Sequence, residues 1–182
     1  MFLPQLFLLL LCFSACRTTA PTKDNNEYDT YIRRIYDGMK GKPAPDIEFI
    51  QADGKLMKIS ELRGQIVLLN FWFAACKPCI TEIGSLNELQ NKYSSKGVKI
   101  VSISTDNHNI VDATTRTHKI LYTVAAHGKT EAETYKVKSF PTTFLIDREG
   151  IVREVFFGAS DWDATHTYME INPILEKMIG QK

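Results

Sequence analysis

Gln65–Trp72 is a nearly unbroken apolar run, and it leads within a few residues into Cys76-Lys77-Pro78-Cys79. A run this apolar predicts a strand buried on both faces, at the centre of a sheet flanked by helices. A helix is expected behind it. Cys79, Ile83, Leu86, Gln90 and Tyr93 recur at helical spacing, with Ile80 and Leu89 widening the stripe. Val98–Ile103 is a second apolar run, so 66–103 reads as a strand–helix–strand crossover with parallel strands. Two cysteines at that strand-to-helix turn can meet within one helical turn and close a disulfide with little backbone movement. Unpaired amides and aligned peptide dipoles at the helix start favour an anion, here the Cys76 thiolate. Lys77 adds a positive charge, and Pro78 suits a first turn, where its missing N–H costs no hydrogen bond. The pair reads as a redox dithiol, Cys76 attacking and Cys79 resolving. A structural disulfide or half of a zinc site are the alternatives. Structural zinc needs a further pair of ligands, and the folded part of the chain holds no second cysteine pair.

The other two cysteines, Cys12 and Cys16, lie in the amino-terminal segment. Residues 1–15 carry no charged side chain and are dominated by Leu6–Leu11, a run too short for a spanning helix, which needs about 20 residues. It fits the apolar part of a secretory signal. Phe13-Ser14-Ala15-Cys16, followed by polar Arg17-Thr18-Thr19, resembles a bacterial lipobox, in which the cysteine becomes the lipid-modified first residue. Cys12, preceded by Leu11, fits that pattern less well. An ordinary cleaved signal or a short anchor is the alternative. With Cys16 lipidated and Cys12 removed, Cys76 and Cys79 are the free thiols left, which suits disulfide exchange in an oxidising compartment. The expected organisation is a signal over 1–15, a tether with a short helix over 16–40, and one domain over 41–182. Formal net charge is +1, and Lys/Arg are too dispersed for a nucleic-acid surface or for binding anionic lipid unaided.

Along the rest of the chain, Tyr28, Ile32, Ile35, Tyr36 and Met39 suggest a short helix before Gly41-Lys42-Pro43-Ala44-Pro45. Ile47–Gln51 and Leu56–Ile59, joined through Asp53-Gly54, suggest a hairpin. A helix near Ile110–Lys119, a strand near Leu121–Val124 and a helix near Glu131–Val137 follow. Thr142–Ile146 and Ile151–Phe156 suggest a second hairpin, and Asn172-Pro173 suggests the start of a final helix ended by Gly180. Gly84 should weaken or bend the helix it lies in by about 1 kcal/mol relative to Ala.

Glu82 follows Cys79 by three residues and so shares its helical face. It could exchange a proton with the resolving thiol, or it could be a solvated residue that complements the helix dipole. Pro141 precedes an apolar strand, where pattern alone favours a trans bond opening an edge strand. His108, His118, His127 and His166 have no metal-ligand spacing and read as surface residues. No metal and no cofactor is expected. Trp72 and Trp162 read as packing residues.

Taken together these residues resemble the thioredoxin-like, membrane-anchored disulfide reductases of the TlpA/ResA type. The resemblance runs from about Gly41 to the carboxyl terminus. It rests on Gly41-Lys42-Pro43-Ala44-Pro45-Asp46, Leu62-Arg63-Gly64, Val67–Trp72, Cys76–Cys79, Phe140–Asp147 and Gly150 in order. It implies an α/β thioredoxin-like fold, a central mixed β-sheet flanked by helices with an amino-terminal hairpin extension. It also implies a cis Pro141 facing the dithiol, a client strand paired to the Phe140 backbone, and a functional acid at Glu82. The chain departs from the family pattern at Ala75, usually Trp, at Phe140, usually small, and at Gly84, where proline is common.

The resemblance implies a thiol–disulfide oxidoreductase that reduces exported proteins, fed by a membrane thiol donor. Its expected place is the periplasm-facing side of a bacterial envelope membrane, held by lipid. A peroxiredoxin-like peroxidase would need Pro-x-x-x-Thr-x-x-Cys, which does not surround Cys76. A copper-binding thioredoxin-like chaperone would need wider cysteine spacing and a matching histidine.

Overall fold

The computed structural model describes residues 23–51, 54–158 and 164–181. The signal, Cys12, Cys16, Arg17–Thr22, Asp53 and Trp162 lie outside the described residues, as does the side chain of His166. Helix α1 spans Lys23–Asp37, and β1 (Glu48–Ile50) and β2 (Leu56–Lys58) form the expected hairpin. Then come β3 (Ile66–Trp72), α2 (Lys77–Tyr93), β4 (Val98–Ser104), α3 (His108–His118), β5 (Thr123–Ala125) and α4 (Lys129–Thr134). The chain closes with β6 (Thr142–Ile146), β7 (Val152–Phe157) and α5 (Ala164–Gly180). Strand order is β5-β4-β3-β6-β7: β3, β4 and β5 run parallel, while β6 and β7 add antiparallel pairs. This is the mixed, helix-flanked sheet that the resemblance implies, and β3 is buried along its whole length at the centre, as its apolar run requires.

Alternation along β3 divides the core. Ile66, Leu68 and Trp72 face α2 and α5, together with Leu86, Leu89, Ile171 and Leu175. Val67, Leu69 and Phe71 face the other layer, where Ile32 and Tyr36 of α1, Tyr135 of α4 and Phe49 of the hairpin pack. Ile32 and Tyr36 are essentially inaccessible, and burying each contributes on the order of 2 kcal/mol. The short helix expected within 16–40 is α1, which starts earlier than the apolar spacing indicated and packs Ile32 and Tyr36 into the core. Among the described residues no helix is long and apolar enough to cross a membrane.

A correction concerns α5. Asn172-Pro173 does not start this helix; Pro173 lies inside it. Proline normally breaks a helix interior by removing a hydrogen bond and crowding the preceding turn. Here Ile171 and Leu175, on either side, are fully buried in the layer shared with α2. Instead of capping, Asn172 accepts from Lys92 Nζ at 2.9 Å and from the Tyr93 hydroxyl, which docks α5 onto α2. The turn between β6 and β7 closes at Gly150, whose φ of 77° favours glycine and whose missing Cβ leaves room for the Arg63 guanidinium.

Candidate active site

Strand β3 ends at Trp72, and the chain crosses Phe73, Ala74 and Ala75 before α2 begins. Cys76 is the N-cap of α2. Its Sγ accepts a hydrogen bond from Cys79 N at 3.2 Å, so the sulfur occupies the place an anion takes at a helix start. Cys76 and Cys79 are joined in a disulfide with S–S 2.02 Å. Pro78 lies in the first helical turn, as its fixed φ permits. The dithiol is less open to solvent than a helix mouth suggests: Cys76 is 5% exposed and Cys79 1%. Both belong to the core layer that includes Trp72 and Tyr122, and Phe73 and Phe140 pack against that layer.

Asp106 pins the turn from behind. Its carboxylate accepts from Ala74 N at 2.6 Å and from Ser104 Oγ at 3.2 Å, while its carbonyl accepts from His127 N at 2.7 Å. Loops after β3, β4 and β5 are thereby tied at one end of the sheet.

Glu82 is 1% exposed, one turn beyond Cys79. Its Oε1 accepts from Asn70 Nδ2 at 2.8 Å, and among the described residues Oε2 has no hydrogen-bond partner. Burial pushes the carboxyl up to about 8, against a smaller opposing effect of the Asn70 hydrogen bond. The solvated-surface alternative for Glu82 therefore fails. Burial also raises the Tyr122 phenol, and the charge of Glu82 adds to that rise.

Beneath Glu82 runs a polar row that the apolar pattern hid. Asn70 is the Cα partner of Ser102 in the parallel pair and of Thr143 in the antiparallel pair. All are buried, and Asn70 bonds both: Ser102 Oγ donates to Asn70 Oδ1 at 2.7 Å, and Asn70 Nδ2 reaches Thr143 Oγ1 at 3.1 Å. One amide side chain thus bonds three neighbours, Ser102, Thr143 and Glu82. The signal was present: Asn70 is a polar residue inside an otherwise apolar strand.

The Phe140–Pro141 bond is cis, as the resemblance implies and against the trans form that the local pattern favours. Thr142 is paired with Phe71, so Pro141 enters the sheet beside Trp72, at the end where the dithiol loop leaves β3. The Phe140 ring meets Phe73 edge-on, with centroids 5.3 Å apart. Ala75 is exposed, so the aromatic surface near Cys76 comes from Phe73 and Phe140.

His108, His118 and His127 are exposed, and the rings of His108 and His127 lie edge-to-face at 4.9 Å. Among the described residues no cluster of three or more His, Cys, Asp or Glu side chains could hold a metal ion.

The AhpC/TSA family matches residues 40–155. The thiol-disulfide oxidoreductase ResA of Bacillus cereus is 36% identical over 132 residues, covering 71% of this chain and 76% of that protein. ResA of Bacillus thuringiensis subsp. konkukian is 31% identical over 167 residues, covering 91% and 92%. A crystal structure assigned as a thiol:disulfide interchange protein DsbE from Chlorobium tepidum superposes with TM-score 0.71 at 29% identity, covering 78% of this chain and 98% of that one. A thiol:disulfide interchange protein from Bacteroides sp. gives 0.66 at 26% identity, covering 79% and 92%. With a sulfur pair capping α2 on a thioredoxin-like sheet, the chain belongs to the AhpC/TSA family and is a thiol-disulfide oxidoreductase.

Proposed function

We propose that the protein reduces disulfides of exported proteins while held to a bacterial envelope membrane, facing the periplasm, by a lipid on Cys16. In the reduced protein the Cys76 thiolate attacks one client sulfur. A Cys76–client disulfide forms and the first client thiolate leaves. Cys79 loses its proton and attacks Sγ of Cys76, which releases the second client thiolate and closes the Cys76–Cys79 disulfide. Two electrons pass to the client, and a membrane thiol donor restores the dithiol. The ionised Glu82 carboxylate takes the proton of Cys79 as that thiol attacks and returns it to the leaving client thiolate; burial makes this carboxylate a stronger base, matched to a thiol. The client lies as an extended strand along the Phe140 backbone beside Pro141.

The observation that carries this reading is the Cys76–Cys79 disulfide at the N-cap of α2, with the buried Glu82 one turn behind it. The signal-like segment ending in Ser14-Ala15-Cys16 supports the anchor. The test is insulin reduction with dithiothreitol as donor, alongside alkylation mass spectrometry of oxidised and reduced protein. Wild type should accelerate insulin precipitation, and Cys76→Ser should abolish the effect. Cysteines that both stay alkylatable after oxidant treatment would refute the reading. Peroxide consumption and Cu(I) titration of the same sample separate it from a peroxidase or a copper carrier.

A further inference from the structure

Helix α1 packs on the face of the sheet opposite α2, away from the dithiol, yet it grips the loop that leads to Pro141. Tyr36 Oη accepts the backbone N–H of Lys138 at 3.2 Å, and the Tyr28 hydroxyl donates to the Lys138 carbonyl at 2.9 Å. Both backbone groups of one residue are thus held by tyrosines of one helix. Tyr36 Oη also lies 3.5 Å from Thr142 Oγ1, which itself donates to the Ser139 carbonyl at 2.7 Å. Since the Thr142 hydrogen is committed to Ser139, Tyr36 is the donor in that longer contact. Lys138, Ser139 and Thr142 are all tied to this hydroxyl network, and Phe140-Pro141 lies between them.

The helix does not depend on the loop for its own position. Ile32 is fully buried, the Tyr36 ring meets Phe144 edge-on at 5.7 Å and Phe157 at 5.0 Å, and the Arg33 guanidinium lies 5.2 Å over the Phe157 ring. The anchorage is therefore core packing, and the hydroxyls are what reach the loop. Disulfide exchange between Cys76 and Cys79 needs none of these contacts. Strand addition does, because a client strand pairs only with backbone groups already set in line, and an unset loop must be ordered at the moment of binding.

We propose that α1 braces the client-binding loop, with Tyr36 and Tyr28 as positioning residues that fix Lys138 and so align the Phe140 backbone for a client strand. The proposal rests on the reading of Phe140–Pro141 as the client site. It gives the amino-terminal helix, packed on the face of the sheet opposite α2, a part in substrate binding.

The test uses purified full-length protein and the double variant Tyr28→Phe/Tyr36→Phe, which keeps both rings and removes both hydroxyls. KM and kcat are measured for a disulfide-bonded peptide and for a small aromatic disulfide that needs no strand pairing. Phe140→Thr serves as the reference for the site itself, and amide hydrogen exchange follows 136–142. The expected result is a peptide KM raised about threefold to tenfold, the worth of weakened loop order when neutral hydrogen bonds are lost. Turnover of the small disulfide and the reduction potential should be unchanged, and exchange at the Lys138 amide should be faster. A peptide KM unchanged in the double variant but altered by Phe140→Thr overturns the brace and leaves the site standing. A peptide KM unchanged in both variants overturns the brace and shows that the Phe140 ring takes no part in client binding. Equal losses on the peptide and the small disulfide overturn the brace by showing general loosening.

Discussion

Replacing Glu82 with Gln keeps the side-chain shape and the acceptor for Asn70 while removing the titration. In the wild type, burial raises the carboxyl from 4.5 to about 8. Between those values the folded chain holds a proton that the unfolded chain has already released. Stability from this group is therefore complete below about pH 4.5 and declines as pH rises toward 8. At about 1.4 kcal/mol per pH unit, the decline between pH 5 and pH 8 approaches about 4 kcal/mol at most. Glu82→Gln lacks this decline, and other titrating groups cancel when the two proteins are compared. The assay is urea unfolding of the oxidised form at pH 5, 6, 7 and 8. The variant should gain on the wild type at each step, through the midpoint and with similar slopes. Its disulfide exchange should meanwhile slow near neutral pH. Stability profiles that run parallel from pH 5 to 8 would refute the reasoning, because they would mean that water reaches Oε2 and the carboxylate ionises normally.

Two further expectations can be checked independently. Cys16→Ser should release the protein from membranes into the soluble fraction; full membrane retention with an uncleaved amino terminus would favour a simple peptide anchor. Gly84→Ala should raise the melting temperature by about 2–4 °C, since a Cβ there meets nothing within 4 Å and Ala is favoured over Gly in a helix by about 1 kcal/mol. A calorimetric scan showing no rise would mean that α2 needs a soft point behind the dithiol.

Much of the site was legible because its logic is local. The apolar run to Trp72, the cysteine pair and the helical stripe behind it lie within one stretch of chain, and near-neighbour periodicity reports such features directly. The environment of Glu82 was not legible from spacing. The i,i+3 relation puts it near Cys79, but its fate depends on Asn70 below it, and Asn70 depends on Thr143, 73 residues away in sequence. The same holds for Asp106, whose hold on Ala74 spans 32 residues. Asn172-Pro173 misled for a related reason: a local start signal was overridden by the burial of Ile171 and Leu175 on either side.

The α/β alternation, the central strand, its parallel partner across the crossover and the dithiol at the head of α2 were readable from the chain alone. These follow from the burial pattern and from the short reach between Cys76 and Cys79. Long-range packing puts α1 in the core, lines up Asn70, Ser102 and Thr143 as one polar row beneath Glu82, and fixes as cis the Phe140–Pro141 bond that local pattern favoured as trans. The two isomers of an X–Pro bond differ by only about 0.5–1 kcal/mol, and a carboxyl titrates according to the water it has lost. Both are settled by what distant segments bring to the same place, which no local pattern records.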